Sequence, residues 1–301
     1  MTQNKTSFKE PIPEGDIFNR RLIKSRRDNN VERFKSHDFL NREISERLLD
    51  NLKDIKRDFK TILSMNIHEQ IIDSHLKPDD IFFQDLSYPV LKSKNGMSVQ
   101  GDEEYLPYKN QCLDLTLSCL NLHWVNDLPG TLIQILRCLK PDGMFLAAIF
   151  GGETLTELRQ SMLKADMDHL GGISPHISPF IDVRDAGGLM QRAGFALPVV
   201  SQERVNVTYS DAFALMKELK GMGENNALNK RFKGLSSRQL MMKVAEQYHQ
   251  DFANEQGRIT ATFDIVYLQG WAPHESQQQP LKPGSAKMAL KDALGIEPPK
   301  S

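Results

Sequence analysis

Residues 101–150 read GDEEYLPYKNQCLDLTLSCLNLHWVNDLPGTLIQILRCLKPDGMFLAAIF, and this stretch sets the fold class. The run 113–120 (LDLTLSCL) is short and largely apolar, as a strand buried on both faces should be. Residues 128–139 follow with apolar positions at helical spacing. Pro141-Asp142-Gly143 then makes a turn, and 144–150 (MFLAAIF) is a second apolar strand. A strand, a helix and a strand with continuous apolar character predict a βα unit in a parallel sheet covered on both sides.

The same alternation extends upstream. Residues 61–65 predict a strand, 67–76 a helix, 81–84 a second strand ended by Asp85 and Pro89, and 97–99 a weak third. Between Asp38 and Phe59, apolar residues at Leu40, Ile44, Leu48, Leu52, Ile55 and Phe59 step by three and four, which predicts one amphipathic helix. Before it, IFNRRLIKSRRDNN predicts a short helix whose Arg20, Arg21, Lys24, Arg26 and Arg27 form a solvated face, with an anionic partner as the alternative reading. Downstream, 153–170 and 182–193 are helical, the latter stopped by Gly194. A strand at 197–207, helices at 211–220 and 236–252, and a strand at 258–270 complete the pattern. Late strands separated by helices suit an antiparallel edge on an otherwise parallel sheet. The expected organisation is a flexible arm over 1–16, one domain over 17–272 with helical lid segments near 153–193 and 211–254, and an extended tail over 273–301.

Length and composition agree with one sizeable domain: 301 residues, 40% hydrophobic and 26% charged. Lys and Arg total 38 against 39 Asp and Glu, so no global field steers nucleic acid to this chain. Cys112, Cys119 and Cys138 lack the spacing of a disulfide framework or a zinc site, and no metal is expected. No apolar run is long enough to cross a bilayer. Residues 1–16 carry no apolar signal core, and Glu10, Glu14 and Asp16 depart from the acid-poor pattern of a transit peptide. A cytoplasmic location is the resulting expectation.

Ligands of open α/β sheets sit outside the carboxyl ends of the strands. That rule points to 64–70, Asp85, the acidic run Asp102-Glu103-Glu104, Leu120 and the 121–127 loop, and Gly151-Gly152. A carboxylate such as Asp85 can accept from two ribose hydroxyls at once. His123-Trp124 stands beside a strand terminus, where a packed rim residue and a substrate contact are both open readings.

Read together, these residues resemble a class I S-adenosylmethionine-dependent methyltransferase. The shared pattern is an acidic pair, a Leu-Pro, an Asp-led fourth strand, Leu-His-Trp, and Leu-Lys-Pro-Asp-Gly before the fifth strand. The chain is similar to the BioC-like branch, which includes malonyl-carrier-protein O-methyltransferase. It is similar also to the group of a mitochondrial complex I assembly factor described as an arginine hydroxylase. GGETLTELRQS at 151–161, SPFIDVRDAGGLMQRAGFALPV at 178–199, DAFALMKELKGMGENNAL at 211–228 and GWAPHESQQQPLKPGSA at 270–286 carry that likeness.

The resemblance implies a Rossmann-like, mostly parallel seven-stranded sheet with an antiparallel edge strand and helical insertions. It implies S-adenosylmethionine as cofactor, with Ser64, Asn66, Asp85, Asp102, Glu103 and Leu120 at its site and His123 and Trp124 on the substrate side. The chain departs from the family at the first motif. The acid falls on Ser64 and the three glycines on Asn66, His68 and Gln70, and no glycine occurs between Gly15 and Gly96. The reading is therefore a methyltransferase-family protein with an impaired cofactor loop. The alternative is a weakly active or inactive assembly factor for respiratory complex I, linked to arginine hydroxylation. Its partner would be a protein substrate or a complex I subunit. No His-x-Asp/Glu…His pattern for an iron oxygenase is present.

Overall fold

The computed structural model describes residues 15–170, 172–234 and 236–278. Nearly all of the expected flexible arm and most of the extended tail lie outside the described residues. The chain runs α1 (Arg20–Phe34), α2 (Phe39–Asp50), β1 (Thr61–Met65), α3 (Glu69–His75), β2 (Asp80–Asp85), α4 (Tyr88–Leu91), β3 (Met97–Gln100) and β4 (Leu113–Cys119). After a single 3-10 turn at Leu122–Trp124 come α5 (Leu128–Cys138), β5 (Leu139–Phe150), α6 (Thr156–Leu170), α7 (Val183–Ala193), β6 (Ala196–Tyr209), α8 (Ala212–Met222), α9 (Arg238–Phe252) and β7 (Ile259–Trp271).

Seven strands form one sheet in the order β3-β2-β1-β4-β5-β7-β6. The pairs β1–β2, β1–β4, β2–β3 and β4–β5 are parallel. Strand β7 is antiparallel to both β5 and β6, so the reversed strand sits one place in from the edge and β6 closes the sheet. This is the Rossmann-like, mostly parallel architecture that the strand pattern predicts. The central strands are the most apolar because both faces are covered: every residue of β4 is buried, whereas β6 alternates along an exposed edge.

Leu40, Ile44 and Leu48 of α2 pack on one face of the sheet with Leu215 of α8 and Tyr248 of α9. Leu132 and Ile135 of α5 and Met190 of α7 pack on the other face against Phe145 and Leu268. Gly270 permits the second contact, since a Cβ there would lie 2.7 Å from Met190 Cε. Helices begin where side chains cap them: Asp182, Asp211 and Ser237 accept from backbone N–H groups of α7, α8 and α9. The expected helix over Asp38–Phe59 ends early, at Asp50. Leu52 and Phe59 remain buried beyond its end, so the apolar spacing continued to record burial after the backbone had left the helix. No helix among the described residues is long and apolar enough to cross a membrane.

Candidate functional site

The carboxyl ends of β1, β2 and β4 open on a cavity of about 590 Å³. Its floor is the β1 exit loop. Ser64 is buried, and its Oγ has no hydrogen-bond partner among the described residues. Asn66 adopts φ 59°, a left-handed torsion that asparagine tolerates better than most side chains. Its Nδ2 donates to the carbonyls of Cys119 (2.9 Å) and Leu120 (3.2 Å), tying the loop to β4. Leu120 itself sits at φ 45°. Of the three positions where the family has glycine, His68 and Gln70 have no such torsion, so asparagine meets the one conformational demand that remains. His68 fills space instead, stacking on Phe34 of α1 with ring centroids 6.1 Å apart.

Helix α1 roofs the cavity. Arg20, Ile23, Arg27, Asn30 and Phe34 step by three and four, so they share one face. That face turns inward: Arg20 and Arg27 side chains are 13% and 16% exposed. Arg20 takes Asp102 in a two-point grip, with Nη2 2.6 Å from Oδ1 and Nε 3.2 Å from Oδ2. Its Nη2 also donates to Glu103 Oε2. Arg27 Nη1 lies 3.1 Å from Asp85 Oδ2 and 3.4 Å from Glu103 Oε1, and its Nη2 donates to Asn121 Oδ1. Asn121 completes the cluster by donating to Glu103 Oε1 at 2.9 Å. The solvated arginine face expected for this helix is thus corrected. Arg20 and Arg27 are turned inward and mostly covered because three strand-end carboxylates face them.

Charge states follow from this packing. Burial works to raise the Glu103 carboxyl, but Arg20 and Arg27 outweigh it and hold Glu103 below the ordinary range. Burial works against both guanidinium charges. The carboxylates overcome it, and Arg20 and Arg27 stay firmly protonated. Asp85 is shifted upward, chiefly by burial, against the pull of Arg27; its Oδ1 accepts from the Ser87 N–H at 2.7 Å.

His123 and Trp124 follow β4 in the 3-10 turn, and Trp124 lines the strand-end cavity. His123 Nε2 is 3.1 Å from Glu224 Oε2, and its ring packs 4.7 Å from Phe150 and 5.2 Å from Trp124. Trp124 is buried with its ring edge-on to Phe18 at 5.3 Å. Gly151 allows a close approach, since a Cβ there would meet Asp264 Oδ2 at 2.5 Å.

The cofactor fit can be judged from these contacts. Ser64 offers no charge to an ammonium group, and Asp85, Asp102 and Glu103 have given oxygens to Arg20 and Arg27. With α1 in this position, the residues present do not fit the ribose and adenine of S-adenosylmethionine. Strand ends pointed to the acids; the arginines that hold them were visible only as a charged helix. The signal for them was the shared spacing of Arg20 and Arg27 with Ile23 and Phe34.

Comparisons with known proteins agree with the topology. A methyltransferase-domain family model matches residues 47–147. Arginine-hydroxylase NDUFAF5, mitochondrial, of Danio rerio is 38% identical over 291 residues, covering 93% of this chain and 90% of the relative. Malonyl-[acyl-carrier protein] O-methyltransferase of Nitrosospira multiformis is 37% identical over 175 residues, covering 58% of this chain and 54% of that protein. Phosphoethanolamine N-methyltransferase 2 of Haemonchus contortus, solved with S-adenosyl-L-methionine, superposes with a TM-score of 0.53 at 14% identity, over 88% of this chain and 62% of that one. At that identity the likeness speaks to the fold. The zebrafish relative is named as mitochondrial, and this overturns the cytoplasmic location expected from the sequence.

Proposed function

The protein belongs to the methyltransferase-domain family of arginine-hydroxylase NDUFAF5, and we propose that it acts through protein contact, as an assembly factor that engages a subunit of respiratory complex I. In this reading the methyltransferase fold is a scaffold, and S-adenosylmethionine does not govern the activity. The supporting observation is the pair of α1 arginines that take Asp85, Asp102 and Glu103. Deleting the gene in the organism that carries it should lower the amount of assembled complex I on native gels, and reintroducing it should restore that amount. Complex I unchanged by the deletion contradicts the reading. Arginine hydroxylation of the partner comes from the relative's name, and its test is mass spectrometry. The partner's arginine should carry one added oxygen that the deletion removes.

A second reading, methyl transfer from S-adenosylmethionine, draws support from the cavity of about 590 Å³ that persists at the strand ends. Such transfer relies mainly on proximity and alignment, so it needs little from acids or bases in the chain. Ordinary turnover of labelled cofactor onto a protein or carboxylate acceptor would favour it over the first.

A further inference from the structure

Beyond Trp124 lies a second cavity, about 410 Å³, between the sheet and helices α6 and α8. Its size falls in the range of about 300–1,000 Å³ usual for small-molecule sites. The inner wall is apolar: Phe150, Leu155, Leu158 and Phe263 are buried, and Phe180 and Met216 pack beside them. The mouth is cationic, with Arg26, Lys220, Arg231 and Lys233. Among the described residues none of these four forms an ion pair. Arg26 Nη1 donates only to the carbonyls of Asn225 and Asn226, each at 2.9 Å, and Arg231 Nη1 to the carbonyl of Leu228 at 2.9 Å. The one carboxylate in the lining, Glu224, is taken by His123. Burial and then the like charge of Arg231 depress the Arg26 pKa. Arg26 and Arg231 therefore line one cavity, close enough for each to feel the other's charge and with no carboxylate among the described residues paired to either, an arrangement that an anion relieves.

We propose that this cavity binds a single-chain amphipathic anion, a medium-length alkyl carboxylate, with its chain on the aromatic wall and its carboxylate between Arg26 and Arg231. The site adjoins the strand-end cleft, sharing Trp124 and Glu224 with it, but Arg26, Arg231 and the aromatic wall belong to this cavity alone. Isothermal titration of the full chain with decanoate tests it, beside decyltrimethylammonium (same chain, opposite charge) and acetate (same head, no chain). Decanoate should saturate at one equivalent, decyltrimethylammonium should bind at least about tenfold more weakly, and acetate should not saturate. Arg231→Gln alone, and combined with Arg26→Gln, should weaken decanoate by about tenfold without lowering the melting temperature. Equal affinity for the two decyl ligands, unchanged decanoate affinity in the folded Arg231→Gln protein, or no saturation at millimolar decanoate overturns the proposal.

Discussion

Glu103 is the residue on which the cleft turns. Its carboxylate is wholly buried and is tolerated there because Arg20, Arg27 and Asn121 meet both of its oxygens. Removing one partner of such a cluster leaves charge buried and unpaired, an effect of about 3–5 kcal/mol. Arg27→Ala should therefore lose stability on that scale in urea denaturation, and a loss under about 1 kcal/mol, the value of an exposed pair, would contradict the packing described. His68 gives a separate signature. Burial, followed by the charges of Arg42 and Lys94, lowers its pKa from 6.5 to about 4. The unfolded chain then takes the proton first. Stability is full above pH 6.5 and declines as pH falls toward 4, by about 2–3 kcal/mol in all. His68→Gln should flatten the denaturation midpoint over that interval, and an unaltered slope would show that another group is responsible. At this scale the sequence was half legible. The acids follow from strand ends, but their arginine partners lie 58 to 83 residues away in the chain, and local spacing does not say what a charged helix faces.

Among the elements, α1 differs from the rest. It buries only Ile23 fully, and its inward face is otherwise polar or partly exposed, so ion pairs rather than an apolar stripe seat it on the sheet. Segments held by few apolar contacts open locally at low free energy. In an Arg20→Ala/Arg27→Ala protein, amide exchange in α1 should speed up by at least about tenfold, while β1 and β4 retain their protection. Equal loss of protection in β4 would mean that the arginines hold the whole domain rather than one helix. The regular strands and longer helices were readable because apolar runs and Gly194 mark them locally. Helix α2 was read too long because Leu52 and Phe59 stay buried after the chain turns, and α4, four residues with a proline in its first turn, carries no periodic signal.

For the whole molecule, the fold of a methyltransferase carries a strand-end rim whose acids are paired with arginines. Seven strands in the order β3-β2-β1-β4-β5-β7-β6 bring Ser64, Asp85 and Leu120 to the lining of one strand-end cavity. Over that rim the chain lays its own helix, and two guanidinium groups pair with the acids there. Topology was legible because it depends on alternation of apolar segments along the chain. Occupancy of the rim was not, because it depends on a long-range pairing of charges. Isothermal titration of the unmodified protein with S-adenosylmethionine tests this most directly. The expected result is no saturable heat at millimolar cofactor. A micromolar dissociation constant would show that Arg20 and Arg27 do not hold these acids against the nucleoside.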